Sequence, residues 1–347
     1  MRILIIGGTN FIGPHVVRLL AGGGHEITLF HRGEHEPELP GVRHIHSPSA
    51  AIPIVDIPSE VKSQLREASP DVVLHMIAMG EADAHTLMDT FRGVAGRLVV
   101  LSSGDVYRAY SRVMGTELDT PDRSALTEES ALRKAFYPYR SQAAGPDDWR
   151  YHYDKILVEN VVMSDSQLPA TVLRLPAVYG PGDDKHRLFS YIKRMDDKRS
   201  AILMGTGQAA WRWTHGYVED VAAAIALAVT NERPAGRIYN IGEENAPTVA
   251  ARVRRLGRVC AWQGQLLVVP RRFLPAHLKD KYNYRHDLVM DSTRIRRELG
   301  WRETVLPEEA LRRTIEWERT HPPQFDPTQF DYEAEDAAMA GNTALSS

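Results

Sequence analysis

MRILIIGGTNFIG, residues 1–13, is the stretch that decides the fold. Four apolar residues, 3–6, lead directly into Gly7 and Gly8, a third glycine follows at Gly13, and a helical pattern of apolar residues comes next. This order of strand, glycine turn and helix lets backbone N–H groups and the positive end of a helix face an anion. The stretch therefore predicts a binding site for the pyrophosphate of a dinucleotide.

Beyond this turn, short apolar runs alternate with helical patterns. Most of the runs are apolar at every position, which is typical of strands covered on both faces in a parallel sheet. The sequence predicts an α/β protein with a doubly wound parallel Rossmann sheet and a smaller C-terminal substrate-binding lobe. The predicted strands after the first are 25–30, 42–46, 71–77, 97–102, 171–175 and 237–242, and the predicted helices include 61–67, 82–91 and 151–163.

The chain divides into three predicted parts. Residues 1–180 form the dinucleotide-binding Rossmann domain, which a strand near 237–242 rejoins, and residues 181–320 form mainly the substrate-binding lobe. Residues 321–347 are rich in Pro, Asp, Glu, Ala and Ser, so we expect a flexible tail. The segment 108–150 is longer than an ordinary connection and interrupts the alternation, which indicates a partly structured insertion over the site.

The composition is that of an ordinary globular protein, with 43% hydrophobic and 25% charged residues among 347. A formal net charge of −3 gives no long-range attraction for nucleic acid or anionic membranes. Cys260 is the only cysteine, so no internal disulfide can form, and no apolar stretch approaches the roughly 20 residues that span a bilayer. We therefore expect a cytoplasmic protein that binds a small molecule. No His/Cys/Asp cluster has zinc spacing, so no metal site is expected.

Two further stretches carry polar side chains suited to chemistry. SSGDVY, residues 102–107, follows the fifth predicted strand directly, at the end where open α/β sheets bind ligands. In YHYDK, residues 151–155, Tyr151 and Lys155 are four apart, which on one helix places both side chains on the same face. An ordinary amphipathic helix would give the same spacing, but Ser103 at the predicted sheet edge favours a catalytic group.

Together these motifs resemble the extended short-chain dehydrogenases/reductases, which include the NAD(P)-dependent epimerase/dehydratase enzymes of nucleotide-sugar metabolism. The resemblance covers nearly all of the chain to about residue 317. It implies a Rossmann fold, a nicotinamide cofactor, and an epimerase, dehydratase or reductase acting on a nucleotide sugar or a related hydroxyl or carbonyl substrate. The motifs that carry it are, in order, GGTNFIG (7–13), SSGDVY (102–107), YHYDK (151–155), LRLPAVYGPGD (173–183), GYVEDVA (216–222), YNIG (239–242) and DSTR (291–294).

The resemblance also implies roles for individual residues. Tyr151 would exchange a proton with a substrate hydroxyl, Lys155 would lower the tyrosine pKa and hold the ribose hydroxyls, and Ser103 would hydrogen-bond the reacting oxygen. Lowering a tyrosine pKa from about 10 to about 7 takes roughly 4 kcal/mol, which a lysine ammonium and an oxidised nicotinamide can supply in a desolvated cleft. Tyr153 competes for the proton-transfer role, although no lysine follows it by four residues. Cofactor contacts are expected from Gly7, Thr9, Asn10, Phe11, Ile12, Gly13, His31, Arg32, Ile77, Ala78, Tyr151, Lys155 and Pro176.

Asp105 is a further candidate catalytic residue. It lies two residues after Ser103, where dehydratases of this family carry a glutamate acid/base. Gly104 stands where those enzymes have an aspartate, so the dehydratase pair is incomplete. The alternative role for Asp105 is to stabilise the turn.

Two positions depart from the usual family pattern. Asn10 occupies the middle of the glycine fingerprint, where it tolerates a left-handed backbone or can cap a helix, and where its side chain would crowd or bond to the pyrophosphate. This resembles an atypical branch with GGTxFIG that includes chloroplast stem-loop RNA-binding proteins. Arg32 stands after the second strand, where an acidic residue would bind a ribose 2′-hydroxyl. NADP is therefore favoured over NAD, and the alternative is a solvated loop arginine.

The sequence is less specific about the substrate. Basic side chains could hold a diphosphate, but each could equally be a surface charge. An RNA-binding or redox-sensing regulatory protein on the same scaffold is the alternative function; four arginines within 252–258 support it, whereas the negative net charge makes a nucleic-acid partner unfavourable. We expect a homodimer. The candidate substrate-binding residues are Tyr107, Lys185, Arg187, Arg212 and Arg285.

Overall fold

The structure is a computed structural model that describes residues 1–33, 40–48, 56–233 and 235–343. The strands in this part of the chain are β1 (Arg2–Ile6), β2 (Glu26–His31), β3 (Val42–His46), β4 (Val72–His75), β5 (Arg97–Ser103), β6 (Ala170–Leu175), β7 (Ala177–Tyr179), β8 (Ala201–Gly205), β9 (His215–Tyr217), β10 (Ile238–Asn240) and β11 (Gln265–Val269).

The helices alternate with the strands in the first half of the chain and predominate in the second. They are α1 (Ile12–Gly22), α2 (Ser59–Glu67), α3 (Glu81–Phe91), α4 (Arg108–Val113), α5 (Trp149–His152), α6 (Lys155–Val162), α7 (Phe189–Asp196), α8 (Thr206–Ala210), α9 (Val218–Thr230), α10 (Val249–Val259), α11 (Thr293–Leu299), α12 (Pro307–Thr320) and α13 (Tyr332–Thr343).

The central sheet is parallel and has the strand order β3-β2-β1-β4-β5-β6-β10. Successive side chains of β1 enter two different cores: Ile3 and Ile5 pack with α1 and α9, whereas Leu4 and Ile6 pack with α2, α3 and α6. Burial on both faces explains why the strand is apolar at every position. The predicted doubly wound Rossmann sheet is therefore confirmed. The order reverses between β1 and β4, which places the glycine turn at the point where such sheets bind ligands.

The strand predicted near 237–242 is confirmed, because β10 pairs with β6. The remaining strands lie outside the central sheet in two parallel pairs, β7 with β9 and β8 with β11. Helix α9 falls within the range 181–320 that was predicted mainly as a separate lobe. Its residues Val221 and Ile225 nevertheless share a core with Ile3 and Ile5, so α9 belongs to the layer that covers the sheet.

Residues 321–343 differ from the predicted flexible tail. They form a 3₁₀ turn at Pro327–Phe330 and then α13. Glu335 on α13 is completely buried, and its carboxylate lies 2.6 Å from Nη2 of Arg194 and 3.1 Å from Nε2 of His277. This ion pair fastens α13 to α7, which the composition alone did not reveal. Residues 344–347 of the predicted tail lie outside the described residues.

The insertion at 108–150 has partial structure, as predicted: it contains α4, a 3₁₀ turn at Arg140–Gln142 and the start of α5. Within the described part of the chain, no helix combines the length and the apolar character that crossing a membrane requires.

Candidate active site

The turn after β1 requires glycine for reasons of backbone geometry. Gly7 and Gly8 have φ angles of +90° and +88°, a region that residues with a side chain rarely adopt. At Gly13, a Cβ atom would overlap the backbone carbonyl group of Gly8. The turn and the first turn of α1 therefore pack backbone against backbone, and the N-terminus of α1 is left beside the ligand cavity described below.

Asn10 is exposed and lines the same cavity. Its carbonyl oxygen accepts a hydrogen bond of 2.9 Å from the backbone N–H of Gly13. Its side chain does not cap α1, because the residue before the helix is Phe11, which has a φ of +46° and makes no side-chain cap bond. Asn10 therefore remains a candidate for contact with a pyrophosphate.

A cavity of about 540 Å³, here called the dinucleotide cavity, runs along the carboxyl ends of β1, β2, β4, β5 and β6. Its size suits a dinucleotide, and its glycine turn leaves room for a ligand close to the backbone. Among the predicted cofactor residues, Gly13, Ala78 and Tyr151 are not part of its lining: Gly13 packs beneath the turn, and the carbonyl of Ala78 is bound by Lys155. The predicted residues that do line it are Gly7, Thr9, Asn10, Phe11, Ile12, His31, Arg32, Ile77, Lys155 and Pro176.

Histidine and arginine side chains mark the β2 end of this cavity. The Nδ1 atom of His31 accepts a hydrogen bond of 3.0 Å from the backbone N–H of Gly33. Nε2 of the same ring therefore carries the proton and donates to Nδ1 of His44 at 2.8 Å. His31 is held in place in this way, and Arg32 follows it as part of the cavity lining.

Helix α6 begins at Lys155 because Asp154 caps it. The carboxylate of Asp154 accepts a hydrogen bond of 2.9 Å from the backbone N–H of Ile156, and both of its oxygens bind the guanidinium of Arg133 at 2.8 and 3.1 Å. The prediction of one helix over 151–163 is therefore wrong, since α5 and α6 are separate helices. An aspartate directly before an apolar run is a helix-start signal that would have placed this boundary.

Lys155 lies at the floor of the dinucleotide cavity and is buried. Its ammonium donates to the carbonyl oxygen of Leu101 at 3.1 Å and to that of Ala78, so the ends of the neighbouring strands fix its position. Burial lowers the pKa of Lys155, and nearby carboxylates act in the opposite direction. The Nζ atom lies 5.6 Å from the ring centroid of Tyr153.

The break between α5 and α6 gives the two tyrosines of YHYDK different surroundings. Tyr153 is buried, and its hydroxyl donates a hydrogen bond of 2.8 Å to Oδ2 of Asp105. Tyr151 is partly exposed; its ring packs against His152, and its carbonyl accepts a hydrogen bond of 2.9 Å from Nε of Arg140. The shared helix face predicted for Tyr151 and Lys155 is absent, because the two residues lie on different helices, while the role that the resemblance implies for Tyr151 stays a prediction.

Asp105 lies at the centre of a network of hydroxyl groups. The Oγ atom of Ser103 accepts a bond of 3.2 Å from the backbone N–H of Asp105, which stabilises the turn after β5. The carboxylate of Asp105, however, binds phenols, because Oδ2 accepts hydrogen bonds from Tyr139 at 3.0 Å and from Tyr153. The hydroxyl of Tyr139 in turn lies 2.9 Å from that of Tyr110. Burial raises the pKa of Asp105.

A second cavity of about 270 Å³, here called the substrate cavity, adjoins the first. Residues that line both cavities are Ser103, Leu175, Pro176 and Arg187. Part of the wall comes from the insertion, as predicted, through Tyr110, Val113, Met114, Leu126 and Tyr139. The opposite wall comes from the second half of the chain and includes Trp211, Trp213, Tyr282, Leu288 and Met290, none of which the sequence analysis singled out.

Arg187 and Lys185 differ in position although both follow the Gly-Pro-Gly turn. Arg187 lines both cavities, and the buried carboxylate of Asp183 holds its guanidinium through Nη1. Lys185 lines only the dinucleotide cavity, and its exposed ammonium pairs with Asp184 at 2.9 Å. The structure therefore offers Arg187 as the basic side chain at the junction of the two cavities.

The other predicted substrate residues lie outside the lining of the substrate cavity. Arg212 donates through Nε to the carbonyl of Ala246 at 2.9 Å, and Arg285 is exposed. Tyr107 is completely buried, and its hydroxyl donates to Oδ1 of Asn240 at 2.6 Å. In these three residues the polar groups serve the fold or face solvent, so the geometry does not support the contacts predicted for them.

A sequence model of the NAD dependent epimerase/dehydratase family matches residues 3–242. The chain belongs to this family. It is similar to the dTDP-glucose 4,6-dehydratase of Neisseria gonorrhoeae (25% identical, 91% of this chain and 95% of that protein) and to the 2′-dehydrokanamycin reductase of Streptomyces kanamyceticus (26% identical, 71% and 62%). Its fold is similar to that of UDP-glucuronic acid 4-epimerase from Bacillus cereus in complex with NAD, with a TM-score of 0.67, 15% identity, and coverage of 93% of this chain and 100% of that one.

Membership of the family confirms the class of protein inferred from the motifs. The chain is an enzyme of the NAD-dependent epimerase/dehydratase type on a Rossmann scaffold. The cavity along the carboxyl ends of the sheet is where such a fold holds a dinucleotide.

Proposed function

We propose that this enzyme transfers hydride between a nicotinamide dinucleotide and a hydroxyl or carbonyl carbon of a nucleotide sugar, in an epimerisation, reduction or dehydration. The observation that carries the proposal is the junction of the two cavities at Ser103, where a substrate oxygen would lie beside the cofactor site. When bound, the nicotinamide supplies or accepts the hydride.

The chain's own residues would position the reactants and move the proton. The Ser103 hydroxyl would hydrogen-bond the reacting oxygen, because it is the hydroxyl group at the shared wall. Lys155, fixed by two backbone carbonyls, would hold the cofactor's ribose hydroxyls from the floor of the cavity. Proton transfer is proposed for Tyr153 because its hydroxyl bonds Asp105, which lines the substrate cavity. The same role for Tyr151 stays a prediction from the sequence, and a comparison of the Phe variants of the two tyrosines would test it.

The substrate cavity supports a sugar linked to a nucleotide. Trp211, Trp213 and Tyr282 offer aromatic faces for stacking against a base or the apolar face of a sugar ring. Arg187 offers a fork of N–H donors that matches phosphate oxygens. Gly104 and Asp105 give an incomplete dehydratase pair, which favours epimerisation or reduction over dehydration.

The experiment is a panel of dTDP-glucose, UDP-glucose and UDP-glucuronic acid, measured by thermal shift and then by calorimetry with NAD or NADP present. At least one nucleotide sugar should raise the Tm, and Arg187→Ala should weaken its binding about 10- to 100-fold, since hydrogen bonds between charged groups contribute about 1.5–3 kcal/mol. Arg302→Ala, which removes an exposed arginine that lines neither cavity, is the matched control. If the unmodified enzyme bound neither dinucleotide, the proposal would be wrong.

A sugar ketone without a nucleotide is a second candidate substrate. Arg187 is the one lysine or arginine among the described residues that line the substrate cavity, and a diphosphate is usually held by more than one. The similarity to a 2′-dehydrokanamycin reductase points the same way. Reduction of a nucleotide-free ketosugar with NADH or NADPH, without response to the three nucleotide sugars, would favour this candidate.

We propose NADP as the preferred dinucleotide, because Arg32 lines the cavity at the β2 end where a 2′-phosphate would lie. Arg32→Ala should weaken NADP binding about 10- to 100-fold while changing NAD binding little, since only NADP carries the phosphate. Calorimetry with each dinucleotide measures the effect, and Arg18→Ala on the exposed side of α1 is the control. Equal affinities for NAD and NADP in the unmodified enzyme would contradict the proposal.

We propose a structural role, and not RNA binding, for the arginines within 252–258. The arginines within 252–258 that suggested RNA binding are partly engaged: Nη2 of Arg252 contacts Glu243 at 2.5 Å, and Nε of Arg255 lies 3.6 Å from Glu308. This favours a structural role for them. A homodimer and a cytoplasmic location are proposed from the sequence, and light scattering and cell fractionation would test them.

A further inference from the structure

Asp105 has an unequal distribution of hydrogen bonds on its two oxygens. Oδ2 accepts from Tyr153 at 2.8 Å and from Tyr139 at 3.0 Å. Oδ1 is buried, and no hydrogen-bond partner for it is found among the described residues. Asp105 nevertheless lines the substrate cavity together with Ser103. A buried carboxylate with one unpartnered oxygen can accept a further proton or hydrogen bond.

The same arrangement makes a resting phenolate on Tyr153 unfavourable. Burial raises the pKa of Tyr153 well above its usual value, and the neighbouring Asp105 raises it further; the Ser103 hydroxyl and Arg133 oppose these effects. The proton of Tyr153 is already directed at Oδ2. An ionised Asp105 therefore keeps Tyr153 neutral, and a neutral phenol can take a proton only if it releases its own.

We propose that Tyr153 and Asp105 act as a two-step proton relay, in which Asp105 is the group that stores the proton exchanged with the substrate oxygen. The inference rests on the proposed hydride-transfer function and goes beyond it by assigning the proton's destination. Tyr153 itself lines neither cavity, but its hydroxyl bonds Asp105, which lines the substrate cavity with Ser103, so a substrate oxygen held by Ser103 would approach the Tyr153 hydroxyl from that wall. Asp105 acts through Tyr153 and is a positioning and proton-holding residue.

The relay balances in both directions. In oxidation, the O–H bond of the substrate hydroxyl breaks and an O–H bond forms on Tyr153, while the original O–H bond of Tyr153 breaks and an O–H bond forms on Oδ2 of Asp105. Tyr153 is neutral before and after, and Asp105 changes from carboxylate to carboxylic acid. Tyr139 donates to the same oxygen throughout. Carbonyl reduction reverses each transfer.

The groups around Asp105 suit this function. Arg133 donates through Nε to the backbone carbonyl of Asp105 at 3.0 Å and contributes positive charge from the insertion, and Lys155 contributes it from α6. Phenols face the carboxyl group from the insertion (Tyr139) and from the segment before α6 (Tyr153). Burial raises the pKa of Asp105, while these positive charges and phenols oppose the change.

The relay predicts a pH dependence of defined sign. Oxidation needs an ionised Asp105, so kcat/KM for the alcohol should rise with pH through the raised pKa of Asp105. Reduction needs the protonated form and should fall over the same interval. Asp105→Asn should remove this pH dependence from both reactions and lower turnover about 10²- to 10⁴-fold. Asp105→Glu should restore part of the rate together with the pH dependence.

A second measurement does not need a substrate. Tyrosine ionisation in the full chain can be followed by ultraviolet absorbance, with circular dichroism reporting that the fold is intact. Asp105→Asn removes the charge of Asp105 and should lower the ionisation midpoint of one tyrosine by about one pH unit or more. Combining Asp105→Asn with Tyr153→Phe should abolish that change. Asp89→Asn, an exposed carboxylate on α3, is the matched control.

The two readouts separate this inference from the proposed function. If no substrate of the panel is turned over, the proposed function fails, and the absorbance titration still decides whether Tyr153 and Asp105 are coupled. A tyrosine titration identical in the unmodified enzyme and Asp105→Asn would overturn the relay. An Asp105→Asn enzyme that kept the pH dependence of kcat/KM would overturn the relay as well.

Discussion

Gly13→Ala is expected to weaken binding of the dinucleotide about tenfold or more. The added Cβ would overlap the carbonyl of Gly8, and two backbone segments cannot separate by a rotamer change. The turn and the start of α1 must move apart, which displaces the N–H groups and the helix terminus that face the pyrophosphate. Forced packing of this kind costs about 1–3 kcal/mol, so we expect a loss of affinity of about tenfold or more, together with a lower Tm.

Gly22→Ala is the matched control, because Gly22 lies in the last turn of the same helix and no atom lies within 4 Å of the position that its Cβ would take. There the substitution should leave dinucleotide affinity unchanged and raise stability by up to about 1 kcal/mol, as alanine favours helix over glycine. Calorimetry and thermal unfolding measure both quantities. Similar affinities in the two variants would show that the contact between the turn and α1 does not shape the site.

Tyr153→Phe is expected to lower turnover by about 10²- to 10⁴-fold, the usual contribution of a positioned acid or base. The substitution removes only the hydroxyl that donates to Asp105, while the ring can keep its contacts with Tyr139 and Trp149, whose centroids lie 5.1 and 5.6 Å away. Cofactor affinity should change little, since Tyr153 is not part of the dinucleotide cavity lining. Steady-state kinetics with a substrate from the panel and calorimetry with the dinucleotide separate the two effects.

Tyr151→Phe provides the comparison two residues away. Its hydroxyl makes no hydrogen bond found in the described structure, whereas the hydroxyl of Tyr153 bonds Asp105 in the wall of the substrate cavity, so we expect turnover close to that of the unmodified enzyme. The sequence pattern predicts the opposite order of effects, with Tyr151 as the proton-transfer group. A large loss in Tyr151→Phe with normal activity in Tyr153→Phe would return the role to Tyr151 and require α5 to rearrange when ligands bind.

Much of the fold could be predicted because local patterns and global packing agree. Ile3 to Ile6 are buried on alternate faces of the sheet, so a continuous apolar run identified β1, and the glycines after it identified the turn. The sequence could not place α13, because its attachment depends on tertiary contacts, among them the pairing of the buried Glu335 with Arg194 across 141 residues.

The site was harder to predict than the fold, because its residues come together only through tertiary structure. Ser103 and Lys155 follow from strand ends and motif spacing, and both line the cavities as expected. The motif spacing ranks Tyr153 below Tyr151 because it treats the helix as continuous through Asp154, which instead caps the start of α6. Tyr139 lies in an irregular insertion, where no periodicity indicates the direction of a side chain.

The wall shared by the two cavities has a thermodynamic consequence. Since Ser103, Leu175, Pro176 and Arg187 contact both spaces, an occupant of one becomes part of the boundary of the other. The binding free energies of dinucleotide and sugar are then linked, and each ligand must change the affinity for the other by the same factor. An affinity measured for a sugar alone therefore lacks the contribution that a bound dinucleotide makes across the shared wall. The free energy of forming the complex with both ligands is therefore the same whichever ligand enters first.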